Sequence, residues 1–398
     1  MLINLPDPEN QQADELPLLQ LGFRPFFLLA GIMSSAFLLI WGLFYARGGP
    51  QTLYSAINWH GHEMIFGYVS AVIAGFLLTA VKNWTGRQTV HGAPLLLLAM
   101  LWLAGRLLPF YSGLPYWLIA FIDLSFLPLL AISILPLLLK SNNYRNLVFI
   151  GILLLLTLAN GVFHLGGTGV FAGGQRYGLY AGVYIVLALV SIMAGRVIPF
   201  FIERGLAGQF QRRQSSVVET TSTLMLVILG IVHVSEFNSV LSAVIAMLAT
   251  ALHLYRLAGW YDKGVWRVPL LWVLILGYAW IVAGLLLLSL SLLGLMTISL
   301  ALHALTIGGI GVLTMGMMVR VSMGHSGRKL HAPGMLPVAF AALNMTALVR
   351  VFLPLMLPAV AYSWLVLISA LIWSGAFAIF IYQMWPVYFS ARVDDRPT

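Results

Sequence analysis

The chain has 398 residues, of which 61% are hydrophobic and only 8% charged, with a formal net charge of +9 and no cysteine. Such a composition exceeds what a water-facing surface tolerates and assigns the chain to the polytopic membrane proteins. The absence of cysteine excludes disulfides, iron–sulfur clusters and thiolate-ligated haem, leaving His, Met and Tyr as axial ligands, and the positive charge reads as membrane topology rather than nucleic-acid binding.

Residues 1–22 are a polar tail carrying Asp7, Glu9, Asp14 and Glu15. It lacks the basic n-region and small-residue cleavage site of a secretory signal, so it is expected to be retained. From residue 23 the apolar runs predict an all-α fold of twelve transmembrane helices over 23–45, 60–81, 93–111, 115–139, 146–165, 176–197, 217–234, 237–257, 268–292, 296–320, 335–355 and 360–385. These make one transmembrane domain, 23–390, followed by a short tail, 391–398. Assigning the N-terminus, the even-numbered loops and the C-terminus to one side collects 17 of the 21 Lys and Arg residues, among them Arg212, Arg213 and Arg396. Only Arg47, Arg106, Arg176 and Arg350 fall on the other side, so both termini are expected in the cytoplasm.

One stretch in the second helix, Trp59-His60-Gly61-His62-Glu63-Met64, returns in reduced form in the tenth. His62 lies 25 residues before Arg87 of Thr85-Gly86-Arg87, and His303 lies 25 before Arg328 of Ser326-Gly327-Arg328. A single offset of 241 residues maps both pairs, which reads as an internal repeat carrying one imidazole per copy at one membrane depth.

The topology gives each histidine a depth. His60, His62, His164, His233 and His303 share the outer layer, whereas His91, His325 and His331 fall in cytoplasmic connections and His253 lies near the inner end of its helix. An imidazole is a poor lipid-facing group, and two helices presenting one each can clamp an iron, so His62 with His303 is the favoured ligand pair. His60 and His62 are separated by about 200° on an ideal helix, so they are expected to serve two neighbouring sites, with His60 the substitute ligand. Glu63 is placed to bind a ring N–H or carry protons. His164 and His233 are further candidate metal ligands. Gly308, Gly309, Gly311 and Gly316 on the tenth helix allow close approach of another helix or of a flat macrocycle, and Met315, Met317 and Met318 read as core. Asp123 is expected to pair with Arg106.

Several blocks together resemble the NnrS family of bacterial membrane proteins. They are Leu21-Gly22-Phe23-Arg24-Pro25-Phe26-Phe27, the Trp59–Met64 stretch with Gly75-Phe76-Leu77-Leu78-Thr79-Ala80 and Asn83-Trp84-Thr85-Gly86-Arg87, then Gly195-Arg196-Val197-Ile198-Pro199-Phe200-Phe201, His303-Ala304-Leu305-Thr306-Ile307-Gly308 and Arg320-Val321-Ser322-Met323-Gly324-His325-Ser326-Gly327-Arg328. The resemblance covers most of the chain. It implies haem and copper as cofactors, the bacterial inner membrane as location, and a role in nitric oxide metabolism, denitrification or tolerance of nitrosative stress. Where the family carries a histidine in a Trp-x-Leu-His-Leu-x-Tyr-Ala-Trp stretch this chain has Ile275, which weakens the copper assignment. Haem–copper oxidases also place haem-binding histidines on the second and tenth of twelve helices, an analogy of fold alone.

Two functions follow. One is a haem-containing, nitric-oxide-related membrane protein, an oxidoreductase if it turns over, with the bilayer, a small gas such as nitric oxide and a quinol or periplasmic cytochrome as partners and no nucleic acid. The other is a proton-coupled small-molecule transporter using Glu63 and the histidines. In the first, Arg176 or Arg47 is expected to meet a haem propionate, with Tyr177 as a second donor.

Overall fold

The computed structural model describes residues 16–206, 210, 215–357 and 360–394. The acidic residues Asp7, Glu9, Asp14 and Glu15 and the basic residues Arg212, Arg213 and Arg396 therefore lie outside the described residues. Twelve helices among those described are long and apolar enough to cross a membrane: α1 (Phe23–Arg47), α2 (Ala56–Thr85), α3 (Gly92–Phe110), α4 (Tyr116–Lys140), α5 (Tyr144–Gly167), α6 (Gly174–Gly205), α7 (Ser216–Val234), α8 (Ser239–Trp260), α9 (Pro269–Leu292), α10 (Ile298–His325), α11 (Leu336–Met356) and α12 (Tyr362–Phe389). The protein is an all-helical multi-pass membrane protein. No strand occurs among the described residues, as expected where each segment must satisfy its own backbone hydrogen bonds in hydrocarbon.

Several helices run past the ends that the sequence suggested. The spans expected to end at residues 197 and 385 continue through Pro199 and Pro386 to Gly205 and Phe389. The ring of each removes one backbone donor near a helix end, where the remaining turns still pack against neighbours. Similarly, α2 begins at Ala56 rather than at residue 60, which places the Trp59–Met64 stretch inside the first turns of the helix. The tail contributes a single helical turn, Pro17–Gln20, ahead of α1.

Successive helices pack side by side, and α12 returns to pack on α1, closing the circuit. Large apolar side chains such as Leu97, Trp117, Leu158 and Val240 are exposed on the periphery, where hydrocarbon rather than water is the appropriate solvent. The apolar stretch of α2 is 89% buried, against 22% for α7, so α2 is interior and α7 peripheral. The bundle has two ends of different character. Among the described residues, one carries the start of α1, the end of α12 and most Lys and Arg residues, and the other carries His60, His62, His164, His233 and His303.

The repeat is visible in the backbone. A π-helical stretch runs Glu63–Val69 in α2 and another runs Ala304–Gly311 in α10, each beginning one residue after His62 or His303. Their starts are 241 residues apart (304 less 63). The left-handed glycines just beyond the two helices, Gly86 (φ 65°) and Gly327 (φ 75°), have the same spacing. π-Helical turns concentrate at functional sites, so attention falls on the side chains around these two.

Candidate functional site

Between α2 and α10, with α1, α6, α11 and α12 completing the wall, lies a cavity of about 420 Å³. Aliphatic and aromatic side chains make most of its surface, and His60, His303, Arg350 and Arg176 are its basic groups. That combination of apolar wall and few convergent polar groups is what cofactor and ligand sites have in common. His60 stacks face to face on Trp41 of α1, with ring centroids 4.7 Å apart and planes within 5°. Its Nδ1 is buried without a hydrogen-bond partner among the described residues.

His303 is held differently. Its Nδ1–H donates to the carbonyl of Ser299, one turn earlier, at 2.6 Å. That bond fixes the tautomer and leaves Nε2 with its lone pair free for a metal or a donor. Arg350 on α11 is only 8% exposed, its guanidinium lies 4.6 Å from the centre of the Tyr362 ring, and its Nη1 has no partner among the described residues. It lies near enough to act electrostatically on both His60 and His303. Buried polar groups nearly always have partners. The unpaired atoms of His60 and Arg350 therefore mark this cavity as a place where a ligand completes the structure.

His62 faces the other way. Its Nδ1 lies 3.0 Å from Glu63 Oε1, and its Nε2 lies 3.1 Å from both Asp123 Oδ2 of α4 and Asn160 Oδ1 of α5. His164 of α5 donates from Nε2–H to the same Asp123 oxygen at 3.0 Å, and its Nδ1 accepts from the Tyr116 hydroxyl at 3.3 Å. Asn160 donates to Asp123 Oδ2 at 2.7 Å. Arg106 of α3 pairs with Asp123 Oδ1 and donates to Glu63 Oε2 at 3.0 Å. Burial, with the Glu63 carboxylate nearby, pushes the phenol of neighbouring Tyr54 above its usual range, so it stays protonated. His62, Glu63, Arg106, Asp123, Asn160 and His164 are all buried, and Tyr116 is half-buried.

Ligand atoms of His62, Asp123 and His164 lie within 4.8 Å of one another, a spacing compatible with metal binding. Charge restricts what fits there. Two carboxyl groups, Glu63 and Asp123, face the single guanidinium of Arg106, an excess of one acid that a proton or a monovalent cation would offset. Both nitrogens of His62 face oxygen acceptors, Glu63 on one side and Asp123 with Asn160 on the other.

The expected axial pair of His62 with His303 is thus not what the folded chain brings together. The cavity joins His303 to His60, because the helix containing His60 and His62 stays regular until Glu63 and sends the two rings to opposite faces. Glu63 reaches the His62 ring, and Asp123 takes Arg106. His164 joins the His62 cluster. His233 remains apart from both sites, bonded to the Tyr184 hydroxyl at 2.5 Å between α6 and α7. Arg176 lines the cavity, pairs with Glu236 and lies over Tyr177. Tyr177 is not among the lining residues, and Arg47 is exposed at the end of α1, also outside the cavity. The glycines of α10 serve helix packing rather than a macrocycle. A Cβ on Gly308 would meet Trp280 of α9 at 2.4 Å, and one on Gly311 would meet Trp373 of α12 at 2.6 Å.

Trp41 and Asn160 carried no signal as single residues in the sequence. Asn160 sits four residues before His164, one helical turn away, and that spacing was the available clue.

A family profile described as NnrS protein matches residues 17–392 of the 398-residue chain. No curated protein matches the chain. The match spans nearly the whole molecule, including all twelve helices and both histidine sites, and the chain belongs to the NnrS family.

Proposed function

We propose that the cavity between α2 and α10 binds haem, which His60 and His303 would hold, and that the protein serves nitric oxide metabolism or tolerance of nitrosative stress. The observation that carries this reading is two imidazoles and an unpaired, buried Arg350 meeting in one apolar cavity. The donor set fits the group: two imidazoles suit iron, the apolar wall suits a macrocycle, and a guanidinium with an unpartnered Nη1 suits a propionate. When bound, such a haem supplies a one-electron redox centre. The chain's own residues do the holding. The Ser299 carbonyl fixes the His303 tautomer, Trp41 holds the plane of His60, and Arg350 neutralises a carboxylate.

The excess of Lys and Arg at the terminal end argues that this end faces the cytoplasm of a bacterial inner membrane, which turns the haem cavity toward the periplasm. A quinol or a periplasmic cytochrome is then the natural electron donor.

A second centre is proposed at His62, Asp123 and His164. Copper, which the family association implies, matches imidazole ligands, and monovalent copper matches the excess of one acid over Arg106. Replacing His164 by Ala should then lower bound copper without altering the haem.

The test is the spectrum of the purified full-length protein. A Soret band that changes in His60→Ala and His303→Ala but persists in His62→Ala supports the assignment. A colourless protein would overturn it and favour a transporter built on the same histidines.

A further inference from the structure

Three arginines, Arg24, Arg328 and Arg392, play no part in either histidine site, and they meet at the opposite end of the bundle. Arg24, of the Phe23-Arg24-Pro25 stretch, is the second residue of α1 and is fully buried. Its Nη1 donates to the carbonyl of Pro17 at 2.6 Å, but its Nε and Nη2 have no partner among the described residues. Arg328, just past the left-handed Gly327 that ends α10, donates from Nη2 to Ser390 Oγ at 2.7 Å and keeps a buried, unpartnered Nη1. Arg392 completes the group by donating to the carbonyl of His325 at 3.1 Å and to Asp394 at 2.9 and 2.7 Å.

These groups form one electrostatic cluster. Arg24 lies within range of both Arg328 and Arg392, and Lys82 at the end of α2 within range of Arg392. Four cations thus gather where Asp394 is the one carboxylate hydrogen-bonded to them among the described residues. A guanidinium taken out of water is costly unless its donors are met, and like charges brought together add to that cost. The N–H groups of the first turn of α1 add partial positive charge at the same end.

We infer that Arg24 and Arg328, with Arg392 and Lys82 around them, form a binding site for a phosphate group at the basic end of the bundle. A phosphate offers several anionic oxygens to forked guanidinium donors, and pairs of arginines recognise it better than single lysines do. The start of α1 is where a bilayer places its headgroups, and basic pockets between transmembrane helices bind anionic headgroups. A phospholipid and free phosphate offer the same group, and the experiment separates them.

Full-length protein in a neutral detergent is compared by native mass spectrometry with Arg24→Gln, Arg328→Gln and, as a control at the same end, Lys140→Gln. Each is incubated with phosphatidylglycerol, with phosphatidylcholine and with inorganic phosphate. Arg328 is half-exposed and its replacement leaves the core intact, so this variant carries the test if the buried Arg24→Gln does not fold. Selective retention of phosphatidylglycerol, weakened about tenfold in Arg328→Gln and unchanged in Lys140→Gln, supports the site with a lipid as its source. Phosphate binding with the same dependence on Arg328, and no lipid preference, supports the site with free phosphate as its source. Equal binding of every probe by wild type and Arg328→Gln, or an equal loss in Lys140→Gln, overturns the inference.

Discussion

His60 and His62 stand two residues apart on α2 and belong to different sites: the first lines the cavity shared with His303, and the second is enclosed by Glu63, Asp123 and Asn160. Gly61 between them packs against α6, where a Cβ would lie 2.9 Å from Leu179 Cδ1. The helix is therefore fixed in rotation by a neighbour at the residue that separates the two rings. Neither histidine can exchange places with the other without moving α2 against α6.

That fixed rotation gives the first prediction. His60→Ala should abolish or alter the haem spectrum, whereas His62→Ala should leave the spectrum in place and lower stability, since it removes a buried donor from two carboxylates. Absorbance of purified variants together with their thermal unfolding separates the two effects. A spectral loss in His62→Ala with none in His60→Ala would reverse the assignment.

Arg350 carries the second prediction. Its unpartnered Nη1 needs an acceptor, and a haem propionate is the acceptor proposed. Arg350→Gln should weaken haem retention by about tenfold or more, the cost of one charge-assisted hydrogen bond, and lower the reduction potential by removing a nearby positive charge. Arg47→Gln, altering an exposed residue outside the cavity, should change neither. Equal retention in wild type and Arg350→Gln would remove the proposed anchor.

Much of this was legible in the sequence because membrane spans have a strong signal. Twelve apolar runs require only the solvation of side chains and backbone, which acts locally. The 241-residue offset was legible for the same reason, since His62, Arg87, His303 and Arg328 mark it directly. What the residues could not disclose was which of two neighbouring imidazoles faces which helix. That depends on the rotation of α2, set by contacts such as Gly61 with Leu179, more than a hundred residues away. Arg350 was visible as an outer charge against the general bias, but Arg176 and Arg47 were equally visible, and only the packing of α11 beside Tyr362 makes Arg350 the buried one.

Asp123 gathers His62, His164, Asn160 and Arg106 from three other helices, so its removal should be felt as a structural defect. Asp123→Ala leaves the Arg106 guanidinium without one of its two buried carboxylates, and breaking a buried pair costs about 3–5 kcal/mol. The unfolding temperature in detergent should fall accordingly, with the loss smaller in the double variant Asp123→Leu with Arg106→Leu, where no unpaired charge remains. Equal destabilisation by the single and double changes would mean that packing, not charge, dominates this cluster.

The last prediction separates two helical glycines, Gly308 in the π-helical stretch of α10 and Gly375 in the regular α12. A Cβ on Gly308 would fall 2.4 Å from Trp280 Cγ, whereas one on Gly375 of α12 would meet nothing within 4 Å. Replacing a helical glycine by alanine favours the helix by up to about 1 kcal/mol when the methyl has room. Overpacking a tight contact costs about 1–3 kcal/mol, and Trp280 has little freedom to yield because its Nε1–H donates to Asn344 of α11 at 3.0 Å. The two terms set opposite signs: Gly375→Ala should raise the unfolding temperature slightly, and Gly308→Ala should lower it. Because α10 carries His303 a little over one turn from Gly308, Gly308→Ala should also broaden or weaken the haem spectrum while Gly375→Ala leaves it unchanged. Stabilisation by both substitutions would show that α9 and α10 can separate without loss, and the close approach of Gly308 to Trp280 would then have no part in shaping the cavity.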